Sequence, residues 1–150
     1  MILLDTNVLS GLMQHTPDPA VVRWLDEQPA RSIWTTSITV FEIRTGIELL
    51  ERGRRRKRLE EVFSQLLTED LEARVQPFDQ LAALAAGTIA AARQRAGQTV
   101  EIRDAQIAGI ATSRRAKLAT RNTRRFEGAG VGLINPWDLT TCAPAGMAIQ

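Results

Sequence analysis

Three carboxylates stand at positions where this sequence could do chemistry. Asp5 directly follows the apolar run Ile2-Leu3-Leu4, so it falls at the carboxyl end of a strand buried on both faces. Thr120-Arg121-Asn122 takes the same kind of position after the apolar Leu118-Ala119. In open parallel sheets, ligands bind beyond the carboxyl ends of the strands. Glu42 borders the stripe that Val40, Ile43, Ile47 and Leu50 form at helical spacing. Asp104 lies near the start of a helix rich in Ala and Ile. Two of these acids also have plain structural uses: Asp5 suits a helix N-cap, and Asp104 complements the positive end of a helix dipole. Yet carboxylates beside core-facing residues are costly unless paired, and several in one cleft repel each other. A divalent cation answers both problems. Mg2+ is the natural choice, with Mn2+ as a substitute, because hard cations take oxygen ligands.

The rest of the composition narrows the chemistry further. The chain has one His, one Cys and no Tyr. A serine triad would rest entirely on His15, and a Cys–His pair on Cys142 with that same His15. A structural zinc site needs four nitrogen or sulfur ligands, and an intrachain disulfide needs a second Cys. No G-x-G-x-x-G follows the first strand, which argues against dinucleotide binding. A phosphatase using Asp5 as nucleophile would want a second Asp close behind it, and Thr6-Asn7-Val8-Leu9 follow instead. What remains is chemistry run on carboxylates, hydroxyls, arginines and a hard cation.

The elements that must position these groups alternate along the chain. The 150 residues fit one domain, large enough to bury a core without disulfides or structural metal. Strand-like segments at 2–4, 32–35, 74–78, 117–120 and 131–134 are separated by helical patterns. The clearest helices run from about Thr39 to Leu50, Arg56 to Leu67, Gln80 to Arg95, and onward from Ile102. Thr36 and Ser37 read as caps, and Trp137 in Asn135-Pro136-Trp137 reads as a packing residue. Alternation of this kind predicts a single α/β domain with a central parallel sheet flanked by helices. The domain is expected to span residues 1–139, with 140–150 as a flexible tail. Met1 leads straight into ILLDTNVL with no leader pattern, and no apolar run is long enough to cross a bilayer. The expectation is a soluble cytoplasmic protein without a membrane partner.

Charge is distributed unevenly. The formal net charge is +2, but only Lys57 and Lys117 among the 19 basic residues are lysines. The segment ERGRRRKR at 51–58 has Glu51 as its only acid, and RRAKLATRNTRR at 114–125 has none. Arginine suits bidentate phosphate contacts. Arg121, Arg124 and Arg125 follow the strand end that bears Asn122, which places them beside the acids as candidates for phosphate contact. The run Arg54–Arg58 reads either as a phosphate contact or as a solvated helix face. Aromatic residues sit mostly in apolar contexts, so readout by base stacking has little support.

The opening MILLDTNVLS, then SITVFEIRTGIELL, RDAQIAGIA, LATRNTRRF and INPWDL together resemble a PIN-domain ribonuclease, and more narrowly the VapC/FitB-like toxins of type II toxin–antitoxin pairs. The resemblance covers roughly residues 1–139 in order. It implies a metal site formed by Asp5, Glu42 and Asp104, with Asn122 as a further catalytic position. Thr6, Asn7 and Thr120 would line that site. At Asn122 the family often has a fourth acid; an amide supplies oxygen but no charge, which favours one well-bound cation with a second recruited alongside the RNA phosphate. The implied reaction is Mg2+-dependent hydrolysis of RNA phosphodiesters by an activated water. The implied partners are an RNA substrate, a cognate VapB/FitA-like antitoxin, a second copy of the chain in a homodimer, and promoter DNA only through the antitoxin. The competing reading is a non-catalytic PIN-like module that binds RNA or protein, for which Asn122 is the best support.

Overall fold

A computed structural model describes residues 1–138 of the chain. The expected tail at 140–150 and Cys142 lie outside the described residues. Five strands form one parallel sheet: β1 (Ile2–Leu4), β2 (Ile33–Thr36), β3 (Val75–Gln76), β4 (Lys117–Ala119) and β5 (Leu133–Ile134), in the order β3-β2-β1-β4-β5. The helices are α1 (Thr6–Leu12), α2 (Pro19–Asp26), α3 (Ser37–Glu48), α4 (Arg54–Gln65), α5 (Gln80–Arg95) and α6 (Ile102–Arg114).

Successive strand residues point to opposite faces, and the core divides accordingly. Leu4 and Ala119 pack into a cluster with residues from α1 to α4, including Val8, Leu9, Trp24, Ile43 and Phe63. Leu3 and Leu118 pack on the other face with Ile107, Ile110 and Phe126. A sheet covered on both faces explains why its strands read as short apolar runs rather than as alternation. β1 is central, and the order reverses between it and β4, so the switch point of the sheet lies at the carboxyl ends of these two strands.

Alanine-rich composition has a steric purpose in the second layer. A Cβ on Gly109 of α6 would come within 2.4 Å of the Ala82 carbonyl oxygen and 2.7 Å of Ala86. The backbones of α5 and α6 therefore approach too closely for any side chain at that crossing.

Several boundaries differ from those expected, each for a local reason. α3 starts at Ser37 rather than Thr39, because the Thr36 hydroxyl accepts the Thr39 N–H at 3.0 Å and caps the helix. Beyond α4 the chain widens into a π turn at Leu66–Asp70, where the Leu71 N–H donates to the Leu66 carbonyl at 2.9 Å. That turn lets Leu66 and Leu71 both reach the same core cluster. β3 stops at Gln76 because Pro77 has no N–H with which to continue the ladder.

Candidate active site

Asp5 caps α1 from the end of β1. Its own N–H still pairs with the Ala119 carbonyl at 3.0 Å, so the residue is held by the sheet. Its carboxylate accepts the Thr6 N–H at 2.8 Å on one oxygen and the Thr120 hydroxyl at 2.8 Å on the other. Thr120 follows β4 directly and is fully buried. Its hydroxyl in turn accepts the Asn122 N–H at 3.2 Å and, more loosely, the Asn7 amide at 3.4 Å. The Asn7 side-chain Oδ1 accepts the Arg121 N–H at 3.0 Å. Thr6, Asn7, Thr120 and Asn122 are thus brought to the switch point, and Asn7 ties the start of α1 to the loop after β4.

Glu42 reaches the same place from α3, and Asp104 from the first turn of α6. Burial raises the Asp5 carboxyl above its ordinary range; the hydrogen bonds from Thr120 and Thr6 and the charge of Arg125 partly offset this, while Asp104 adds to it. Glu42 is also raised, first by desolvation and then by the charge of Asp5, against the pull of Arg103 and Arg125. Mutual repulsion of this kind places the three acids in one electrostatic neighbourhood. Asp104 is buried, and its carboxylate is forked by Arg125: Nε meets one oxygen at 2.9 Å and Nη2 meets the other. That pairing and the charges of Asp5 and Glu42 hold the guanidinium more firmly protonated.

Two clefts meet above these groups. One, of about 680 Å3, is lined by Arg93, Arg103, Asp104, Arg124 and Arg125 among others. The second, of about 380 Å3, is lined by Thr6, Asn7, Arg121, Asn122 and Trp137 among others. Glu42 and Arg125 line both, so they form the saddle between them. Arg121 lies over the Trp137 ring at 4.8 Å, and the Trp137 Nε1–H donates to Asp18 at 2.8 Å. Trp137 also packs against the core, in keeping with its expected packing role.

Arg93 and Arg103 were not singled out in the sequence. Arg103 had a signal: a cation in the first turn of a helix opposes the dipole and needs another reason to be there. Here it stacks on Phe41 and bears on Glu42. Arg93 carried no such signal, since it stands in the last turn of α5, where a cation is favoured. The run at 54–58 is partly structural: Arg56 pairs with Glu48 and Glu60, and Arg58 donates to the Met13 carbonyl.

The donor chemistry suits a hard cation, being all carboxylate, amide and hydroxyl oxygen. The Thr6 hydroxyl, buried and without a well-formed hydrogen bond, adds a further oxygen beside Glu42. Among the described residues, however, no three acidic, His or Cys side chains form a ready cation cage. Arg125 already engages both oxygens of Asp104, so a cation approaching that acid meets a bound guanidinium.

Fold and site together define a parallel α/β protein with an acidic centre at the sheet's switch point and arginines around its rim. A family model described as PIN domain matches residues 2–131. The chain is 36% identical over 138 residues to the VapC ribonuclease Y4jK of Sinorhizobium fredii, covering 92% of this chain and 99% of that protein. It is 35% identical over 137 residues to the toxin FitB of Neisseria gonorrhoeae, covering 91% and 99%. The crystal structure of FitAcB from Neisseria gonorrhoeae matches with a TM-score of 0.83 over 92% of this chain and 99% of that one, at 35% identity. The chain belongs to the PIN-domain family, among its VapC- and FitB-like members.

Proposed function

We propose that this chain is a Mg2+-dependent endoribonuclease, with Mn2+ as a substitute, and the toxin of a VapBC-type toxin–antitoxin pair. The observation that supports the reading is the approach of Asp5, Glu42 and Asp104 to one another at the carboxyl end of the sheet, beside clefts rimmed by Arg93, Arg103, Arg121, Arg124 and Arg125. Relatives named as a ribonuclease and as a toxin support it. Asp5, Glu42 and Asp104 would hold the cation, which when bound supplies a more acidic water and neutralises charge developing on the phosphate.

The chain's own residues divide the remaining work. Asp5 is fixed by Thr6 and Thr120 and gives the site a rigid base. Glu42 is the acid open to both clefts; its raised pKa suits it to orient a water by accepting a hydrogen bond. Asn122 adds an amide without charge, so the site is weaker in acids than a four-carboxylate centre and suits one firmly held cation. The arginines supply the attraction for RNA phosphate that an acidic centre lacks.

This reading also takes residues 1–139 as the functional domain, a cytoplasmic location, and an antitoxin and a second copy of the chain as partners, with promoter DNA reached only through the antitoxin. Exposed Leu49, Leu81 and Leu84 offer apolar surface for such contacts. Among the described residues no helix is long and apolar enough to cross a membrane.

The test is cleavage of structured RNA by the purified, antitoxin-free chain with Mg2+, compared with Asp5→Ala and with EDTA. Loss of cleavage in both arms is expected. Wild-type protein that binds RNA but cuts nothing would overturn the catalytic reading in favour of a binding module.

A further inference from the structure

Asp104 and Arg125 are unequal partners. The Asp104 side chain is 4% exposed and fixed in α6, whereas the Arg125 side chain is 42% exposed. Arg125 stands on the short 3-10 turn Thr123–Phe126, which Phe126 anchors in the core at 1% exposure. Its backbone N–H also holds to the Asn122 carbonyl at 3.2 Å. The guanidinium can therefore leave by rotation of its own side-chain bonds while its backbone stays in place. It lines both clefts, so either offers room for it. Without Arg125, Asp104 would be a buried carboxylate lacking its fork, a costly state unless another cation takes over.

We propose that Arg125 and the divalent cation are alternative partners of the Asp104 carboxylate. Arg125 holds that acid in a neutral pair until the cation displaces it, and the freed guanidinium then stands at the saddle between the clefts as a phosphate contact. In this role Arg125 is a positioning residue that gates entry of the cation. The inference rests on the nuclease reading, because it takes Asp104 as a cation-binding group.

The test is titration of metal-free protein with Mn2+ alone, followed by calorimetry and by the paramagnetic resonance of free Mn2+, with no RNA present. Arg125→Gln is expected to bind Mn2+ on the order of tenfold more tightly than wild type, because a charge-assisted fork no longer competes. Arg125→Lys keeps the charge, loses the fork, and is expected to fall between the two. Arg103→Gln removes an equal charge that bears on Glu42 but makes no bond to Asp104, and should strengthen Mn2+ binding by clearly less than Arg125→Gln does. Thermal melting supplies a second readout: metal-free Arg125→Gln should melt below wild type and gain more from Mn2+.

Equal Mn2+ affinity in wild type and Arg125→Gln would refute the competition while leaving the nuclease reading intact. An equal gain in Arg103→Gln would also refute it, by reducing the effect to general charge. Failure of wild type, Arg125→Gln and Arg125→Lys alike to bind Mn2+ would remove both this inference and the metal reading beneath it.

Discussion

Replacing Thr120 by Val tests whether the site is held together by the hydrogen bonds at the end of β4. The two side chains have nearly the same shape, and Thr120 is fully buried, so the change removes a hydroxyl and little else. That hydroxyl donates to Asp5 at 2.8 Å and accepts N–H groups of Asn122 and Asn7 at 3.2 and 3.4 Å. The bond to a buried carboxylate is the largest part, at roughly 1.5–3 kcal/mol, and the two longer contacts add little. Urea denaturation of metal-free Thr120→Val at pH 7 should therefore show a loss of about 2 kcal/mol. The loss must also depend on pH. Burial already raises the Asp5 carboxyl, and removing a donor raises it further. Below that raised value Asp5 is neutral in both proteins, and the deficit should shrink to about 1 kcal/mol, the worth of a neutral hydrogen bond. A deficit under about 0.5 kcal/mol at pH 7, or one that stays constant through acid, would refute this account of how Asp5 is held.

Two further substitutions probe the neighbouring features. Glu42→Gln removes a carboxylate whose pKa is raised in the folded state. Such a group favours the fold below its unfolded pKa and loses that contribution as pH rises through the folded value. The metal-free variant should thus be more stable than wild type at pH 7 by about half a kcal/mol once solvent screening is allowed for, with the gain vanishing in acid and on adding Mn2+. Gly109→Ala drives a Cβ to within 2.4 Å of the Ala82 carbonyl and forces α5 from α6; a loss of about 2–3 kcal/mol in thermal or urea unfolding is expected, and a neutral result would contradict the packing.

The sheet and the acids were legible in the sequence for the same reason. Buried strands such as Ile2-Leu3-Leu4 leave uninterrupted apolar runs, and a polar residue placed directly after one marks the strand's carboxyl end. Asp5, Thr120 and Asn122 were found that way. Glu42 and Asp104 were found because each sits beside core-facing positions on a helix. Pairings across the chain leave no such local trace. Nothing in the spacing of Asp104 and Arg125 shows that one forks the other, or that Glu42 and Arg125 form a saddle between two clefts. The lost ends of β3 and the π turn after α4 likewise depend on what Pro77 lacks and on where Leu71 must go.

The three acids are stabilised in three different ways, and the difference bears on what each can do. Asp5 is held by two short hydrogen bonds, from the first residue of α1 and the residue after β4, and its own N–H pairs with Ala119, so it cannot move without disturbing β1 and β4. Asp104 is held by a side chain that can leave. Glu42 is only half-buried and opens on both clefts, so solvent carries part of its cost. Two of the three are raised above their ordinary range, which means the folded chain tolerates charges that it would be more stable without. Such a cost is expected where a site is built to receive a counter-charge. One fixed acid, one exchangeable and one exposed would together hold a divalent cation, with Asp104 fully available to it once Arg125 has turned away.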